Sequence, residues 1–195
     1  MKQVVLASGN RKKLAEMQEI LAHCGFELLP QSDFAVPEAD ETGLTFVENA
    51  IIKARNAAMH TGLPAIADDS GLEVDALKGA PGIYSARFSG ADANDDKNNT
   101  LLVEKLRNVP EQERSARYQC VIAFMRHAED PTPIISQGSW EGRIIDGPRG
   151  SNGFGYDPHF LIPSLGVTAA ELSSDEKHRL SHRGIALAQL QSLLA

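Results

Sequence analysis

Ala65-Ile66-Ala67-Asp68-Asp69-Ser70-Gly71-Leu72-Glu73-Val74-Asp75 is the stretch on which the reading of this chain turns. Three apolar residues lead into two adjacent carboxylates, and a Ser-Gly pair follows. A short apolar run closed by turn residues predicts a buried strand with both acids at its end. The alternation in Leu72-Glu73-Val74-Asp75 predicts a second short strand after a turn at Ser70-Gly71. A desolvated carboxylate is costly unless a cation meets it. A divalent metal is one such cation, and Mg²⁺ characteristically takes one or two carboxylates together with substrate phosphates. Side chains alternate along a strand, so one acid faces the site. The other is expected to be structural, accepting N–H groups of the Ser-Gly turn.

Working outward, Val4-Val5-Leu6-Ala7 predicts a strand and Ser8-Gly9-Asn10 a turn. A helix is predicted over residues 12–23, with Leu14, Met17, Ile20 and Leu21 on one face and Gly25 as its stop. Thr45 and Glu48 have capping-box spacing, and Ala50, Ala54 and Ala58 favour the helix that would follow, to be ended by Gly62 and Pro64. A polar helix is predicted over 92–108 with Leu101, Leu102 and Leu106 as its apolar stripe. Long strands over 115–126 and 134–145 form a hairpin across the turn residues between them. A Gly-rich loop over 147–155 precedes a strand at 159–162, and an amphipathic helix runs over 185–194. Helices and strands alternate early and a hairpin sits in the middle, so the expected class is α/β with a mixed sheet. With no repeat and no linker, residues 1–195 are read as one bilobed domain with a cleft.

Composition narrows the function classes. The 195 residues are 42% hydrophobic, enough for one sizeable core or two small lobes. The formal net charge of −7 argues against general nucleic-acid binding, which needs a basic stripe. Local positive charge can still hold one phosphorylated small molecule. Cys24 and Cys120 are far apart and lack a CxxC spacing, against a zinc site or a secreted disulfide scaffold. No apolar run is long enough for a membrane span or a signal peptide, so a cytoplasmic protein is expected.

Four groups of residues can carry chemistry beside the aspartates. Ser8-Gly9-Asn10-Arg11-Lys12-Lys13 lies between the first strand and first helix, where backbone N–H groups attract anions. The P-loop spacing is absent, and a basic turn is the plain alternative. Asn49 and Lys53 are one helical turn apart and share a face with each other. With Glu41 they can look into the same cleft as the aspartates, although taken alone a solvated helix face is the better reading of them. The loop Gly150-Ser151-Asn152-Gly153-Phe154-Gly155-Tyr156-Asp157-Pro158 can wrap a planar ring, Phe154 or Tyr156 stacking and Asp157 reading a polar edge. A surface loop whose aromatics cover the core is the alternative. Lys177, Ser181, His182 and Arg183 sit just before the last helix, where the two cations can neutralise phosphate or donate to a carbonyl.

Taken together, these pieces resemble the inosine triphosphate pyrophosphatase family, and within it the bacterial dITP/XTP pyrophosphatases. The resemblance spans the chain. It rests on Ser8-Gly9-Asn10 with Lys13, Glu41-Thr42-Gly43 with Asn49-Ala50 and Lys53-Ala54, Ala67-Asp68-Asp69-Ser70-Gly71-Leu72, Ala80-Pro81-Gly82-Ile83-Tyr84-Ser85-Ala86-Arg87, Gly153-Phe154-Gly155-Tyr156-Asp157-Pro158 and Ser181-His182-Arg183. It implies a bilobed α/β fold around a long twisted mixed sheet, a homodimer, and Mg²⁺-dependent hydrolysis of ITP, dITP and XTP to the monophosphate and pyrophosphate. Carried over, residues 8–13 would bind the triphosphate, with Lys13 and Lys53 balancing its charge. Asp69 would be general base and metal contact, Glu41 a second acid at the metal, and Ser70 a substrate contact. Phe154 would stack on the base, Gly155, Tyr156 and Asp157 would complete its pocket, and Lys177, His182 and Arg183 would close over base and phosphate. Ser8 stands where the family often has Thr. Asn152 stands where Gly is frequent, a position expected to need left-handed backbone angles that Asn tolerates.

Overall fold

The structure is a computed structural model that describes residues 2–8, 14, 17, 18, 21 and 25–194. The predicted turn and triphosphate loop at Gly9, Asn10, Arg11, Lys12 and Lys13 lie outside the described residues, as does most of the predicted first helix. Of that helix, Leu14, Met17, Gln18 and Leu21 are described and helical, with Met17 and Leu21 fully buried.

Seven strands form one mixed sheet: β1 Lys2–Leu6, β2 Phe26–Pro30, β3 Ala65–Val74, β4 Ser115–Met125, β5 Ile134–Ile144, β6 Phe160–Ile162 and β7 Val167–Thr168. Their order is β2-β1-β3-β4-β5-β6-β7. β1 pairs parallel with β2 and β3, whereas β6 pairs antiparallel with β5 and β7. The helices are α1 Phe46–Thr61, α2 Asp95–Lys105, α3 Ser174–Leu180 and α4 His182–Leu194. The α/β class with a mixed sheet flanked by helices is therefore as the sequence predicts. The chain divides into two compact units. One comprises Met1–Asp69, Cys120–Gln137 and Ile185–Ala195, and the other Ser70–Gln119 and Gly138–Gly184.

Strand parity organises the first unit. Val4, Leu6, Ile66, Cys120, Ile122 and Phe124 join Leu187 and Leu190 of α4 in one cluster. Their immediate neighbours Val5, Ala7, Ala65, Ala67, Val121 and Ala123 join Ala50, Ala54, Ala57 and Ala58 of α1 in another. The two-residue period of the strands thus assigns each helix a face of the sheet. The alanines of α1 have little bulk, which brings that helix close to β3. Its start is the predicted one: Thr45 Oγ1 accepts from the Glu48 N–H, and the Glu48 carboxylate accepts from Leu44 N–H at 2.9 Å and the Thr45 hydroxyl at 2.7 Å. Gly62, at φ +67°, ends it.

Three expectations need correction. Ser70-Gly71 is not a turn: β3 runs unbroken through it, and the aspartates lie inside a ten-residue strand. Pairing with β4 outweighs the weak strand preference of Gly, and Ser85 Oγ accepts the Leu72 N–H at 2.8 Å. The last helix begins at His182, so His182 and Arg183 ride on its first turn instead of preceding it, and Lys177 belongs to the separate helix α3. Strand β2 was not anticipated. Asn152 is also relieved of its expected role, since the left-handed positions of its loop are Gly150, Gly153 and Gly155.

The α3–α4 junction depends on Gly184. A Cβ there would lie 1.7 Å from the His178 carbonyl oxygen, a contact that backbone must move to relieve. Gly184→Ala is expected to cost about 2 kcal/mol and lower the melting temperature by roughly 4–8 °C, measured by scanning calorimetry.

Candidate active site

Parity also decides which aspartate meets α1. Asp69 shares the odd-numbered face of β3 with Ala65 and Ala67, the face against which α1 packs. Lys53 Nζ donates to Asp69 Oδ1 at 2.8 Å, and Asn49 Nδ2 donates to Oδ2 at 3.4 Å. Lys53 also pairs with Glu41 at 3.2 Å. Asn49 is fully buried, and its amide oxygen accepts the Gly43 N–H at 2.9 Å. The face carrying Asn49 and Lys53 is thus turned to the carboxylates, which decides against the solvated-face alternative.

A cavity of about 270 Å³ opens beside this group, lined among others by Ser8, Glu41, Lys53 and Asp68. Gln31 and Glu38, which the motifs did not single out, also line it. Ser8 follows the carboxyl end of β1, a parallel strand, and such ends are where open α/β sheets bind ligands. Asp68 is not engaged with a Ser-Gly turn, since there is none; it borders the cavity.

The charges here are coupled. Burial pushes the Asp69 pKa upward, and the attraction and hydrogen bond of Lys53 pull it back only in part, while Glu41 repels. For Lys53, burial acts to lower the pKa, but Asp69, Asp68 and Glu41 together outweigh it and hold the ammonium above its ordinary range. Both groups thus shift upward, Asp69 chiefly by burial and Lys53 because one ammonium faces three carboxylates. The lysine stays charged, and Asp69 is a stronger base than an exposed aspartate, as a proton acceptor needs to be.

The second unit holds a separate cluster. Asp157 is buried at its centre. It accepts from the Tyr118 hydroxyl at 3.2 Å, the Phe154 N–H at 2.9 Å and Lys177 Nζ. The Lys177 ammonium also lies 4.7 Å from the centre of the Phe154 ring, whose residue is 52% exposed. Phe154 is therefore an accessible flat face held from below. Gly153 makes this possible: a Cβ there would come 2.0 Å from Asp157 Oδ2. His182 stacks on Tyr118 with centroids 4.8 Å apart and planes 14° apart. The Arg183 guanidinium donates to Ser70 Oγ at 3.4 Å.

The described site residues named from the sequence fall into two groups, while Gly9, Asn10, Arg11, Lys12 and Lys13 lie outside the described residues. Asp69, Lys53, Glu41 and Ser8 belong to the first cluster. Ser70, Phe154, Lys177, His182 and Arg183 belong to the second. Tyr156 and Asp157 sit there differently from expected. Tyr156 is buried, with its hydroxyl on the Ser85 carbonyl at 2.7 Å, and Asp157 is used by its three donors. Through these bonds both support the loop. Gly155 is fixed by its backbone, which donates to Asp95 Oδ2 at 2.7 Å and accepts from Asn99 Nδ2 at 2.8 Å. Tyr118, beneath His182, was not anticipated, because no spacing links a strand residue to a ring 64 positions later.

The Ham1 family model matches residues 4–193. The chain belongs to the Ham1 family. The "dITP/XTP pyrophosphatase" of Thioalkalivibrio sulfidiphilus (strain HL-EbGR7) is 60% identical over 184 residues, covering 94% of each chain. That of Shigella flexneri is 58% identical over 194 residues, covering 100% of this chain and 98% of the relative. Among solved structures, a HAM1 protein from Coxiella burnetii superposes with a TM-score of 0.96 at 54% identity, covering 100% of this chain and 98% of that one. This Ham1 chain shares no long apolar helix with membrane proteins: among the described residues, none is long and apolar enough to span a bilayer.

The coupling of Asp69 to Lys53 predicts a pH effect. Lys53 is the largest influence holding Asp69 down, so Lys53→Met leaves burial and Glu41 opposed only by the Asn49 hydrogen bond. In pH profiles of kcat/KM, the acid limb of the variant is expected at higher pH than that of the parent, because the base must lose its proton without the ammonium.

Proposed function

We propose that this chain hydrolyses deaminated purine nucleoside triphosphates, ITP, dITP and XTP, to the monophosphate and pyrophosphate, clearing them from the nucleotide pool. The observation that carries the chemistry is the buried Asp69 carboxylate, bound by Lys53 and Asn49 with Glu41 alongside. The naming of relatives at 58–60% identity over nearly the whole chain supports the substrate class.

In this reading Asp69 takes the proton of the attacking water. Asn49 and Lys53 hold its two oxygens in place, so the base is oriented before substrate arrives. Lys53 also offsets the negative charge of the phosphates, and Lys13 in the 8–13 segment shares that role. Ser8 and the amides of Gly9, Asn10, Arg11 and Lys12 hold the triphosphate. In the second unit Phe154 stacks on the base and Lys177, His182 and Arg183 read its edge, with Ser70 as a further contact. Asp69 and Ser70 are consecutive residues of β3.

Magnesium fits the donor set. Asp69 and Glu41 offer hard oxygen ligands, both already drawn to one cation. Among the described residues no three His, Cys, Asp or Glu side chains form a metal cage. That suits an ion held by one or two carboxylates, with water and phosphate in its other positions. Bound there, it would neutralise phosphate charge and polarise the phosphorus for attack. A cytoplasmic homodimer working as one catalytic domain over residues 1–195 completes the proposal. The dimer rests on the family resemblance.

Selectivity follows from the 6-position of the purine. Hypoxanthine and xanthine carry a carbonyl there, and adenine an amino group. The Arg183 guanidinium can donate to the carbonyl, whereas an amino group would leave buried donors unpaired.

Pyrophosphate release from ITP, dITP and XTP with Mg²⁺, beside ATP and GTP, tests the assignment directly; equal turnover of ATP would overturn it. Asp69→Asn is expected to lose at least about a hundredfold in kcat, about 3 kcal/mol, with an unchanged circular dichroism spectrum. Arg183→Ala is expected to narrow the ITP-to-ATP ratio of kcat/KM; an unaltered ratio removes Arg183 from base recognition.

A further inference from the structure

Phe154 stands between two glycines, Gly153 at φ +79° and Gly155 at φ +63°. Glycine leaves the backbone more freedom than any other residue, so a ring in this setting would swing unless its peptide groups were tied. Three successive peptide groups are tied, each by a different side chain. The Phe154 N–H donates to Asp157 Oδ2 at 2.9 Å, the Gly155 N–H donates to Asp95 Oδ2 at 2.7 Å, and the Gly155 carbonyl accepts from Asn99 Nδ2 at 2.8 Å. The first two groups belong to the peptide planes on either side of the Phe154 Cα. Only two soft dihedrals lie between those planes, so holding both sets the direction in which the ring leaves the backbone.

Asp157 belongs to the loop itself, but Asp95 and Asn99 come from α2. They are one helical turn apart and share a face. One accepts and the other donates, which matches the N–H and the carbonyl of a single residue. α2 is a firm support for such a clamp. Its Leu102 is fully buried in the core cluster that holds Leu72 and Tyr118. Its Asn98 is buried, and the amide nitrogen donates to the Ser85 and Ala86 carbonyls at 3.3 and 3.2 Å. The Asn98 oxygen accepts from the Ser89 N–H and hydroxyl, both at 2.8 Å. The Tyr156 hydroxyl donates to the same Ser85 carbonyl at 2.7 Å. α2, residues 85–89 and the Phe154 loop are thereby joined in one polar network.

We infer that Asp95 and Asn99 are positioning residues for base binding: through the Gly155 peptide they hold the Phe154 ring in the attitude on which a purine stacks. This role rests on the stacking proposed above for Phe154. A ring already held still loses little freedom when a flat ligand settles on it, so the clamp favours affinity. The base is remote from the reacting phosphates. Its contact is made equally in the ground and transition states, and loss of the clamp therefore appears in KM and not in kcat.

The test is a set of steady-state ITP hydrolysis measurements with Mg²⁺. Asn99→Ala and Asp95→Ala are each expected to raise KM about threefold to tenfold, the effect of one hydrogen bond, with kcat within about twofold of the parent. Asp95→Asn keeps an oxygen for the Gly155 N–H while removing the charge, and is expected to restore KM to within about twofold of the parent. In a Phe154→Ala background neither alanine substitution is expected to raise KM further, because each acts through the ring. A tie that serves only stability would not depend on Phe154 in this way. Unchanged KM in Asp95→Ala, whose position is exposed, overturns the role of the clamp. So do KM increases that multiply with that of Phe154→Ala, a fall in kcat at unchanged KM, or failure of Asp95→Asn to restore KM. Failure of the proposed function is distinguishable from these: a parent that does not turn over ITP, or Phe154→Ala with the parent's KM, removes the stacking itself and the clamp's role with it.

Discussion

The contact between Lys53 and Asp69 joins a helix, a strand and a proposed reaction. Asp69 sits among apolar neighbours on the odd face of β3, where an isolated carboxylate would be driven to take up a proton. Lys53 meets it at 2.8 Å because the alanines of α1 let that helix settle close to the sheet. The lysine is itself half enclosed, and three carboxylates keep it charged. Neither group is tolerable there without the other, and removing one partner of such a pair is far more costly than its net worth suggests. The residual upward push on Asp69 is what makes it useful as a base, so the desolvation that threatens the fold also serves the chemistry.

The second unit solves a different problem, which is to hold an exposed aromatic ring still. Phe154 is itself largely exposed. Its backbone N–H is taken by Asp157, its face by the Lys177 ammonium, and Lys177 is in turn fixed by Asp157. Asp157 is itself anchored to Tyr118, on whose ring His182 lies flat. A chain of contacts thus runs from a core strand to a surface ring. Such preorganisation reduces the entropy lost when a flat ligand stacks. The burial of Tyr118 and the nearby Asp157 keep its phenol well above the ordinary pKa, so it remains a hydrogen-bond donor at any working pH.

Legibility in the sequence followed the range of the interaction. The start of α1 was readable because Thr45 and Glu48 satisfy the helix end within four residues. The capping box of α3, in which Ser173 and Glu176 exchange bonds, is equally local. Ser70-Gly71 misled because its local preference is for a turn, while β3 is held as a strand by its neighbour β4 and, at Leu72, by Ser85, which come later in the chain. The burial of Tyr156 and Asp157 was hidden for a related reason. Composition marks the loop as ligand-like, but only packing separates the ring that is buried from the ring that is offered.

The order of residues was by itself enough to fix the α/β class, the acidic pair in a core strand, the helix bearing Asn49 and Lys53, and the motifs that place the chain in its family. All of these are properties of spacing and periodicity, which are written along the chain. Which aspartate meets Lys53 and which aromatic is exposed were decided only on folding. Each depends on the face a side chain presents to a distant segment, and strand register and helix contact, rather than sequence distance, set that face.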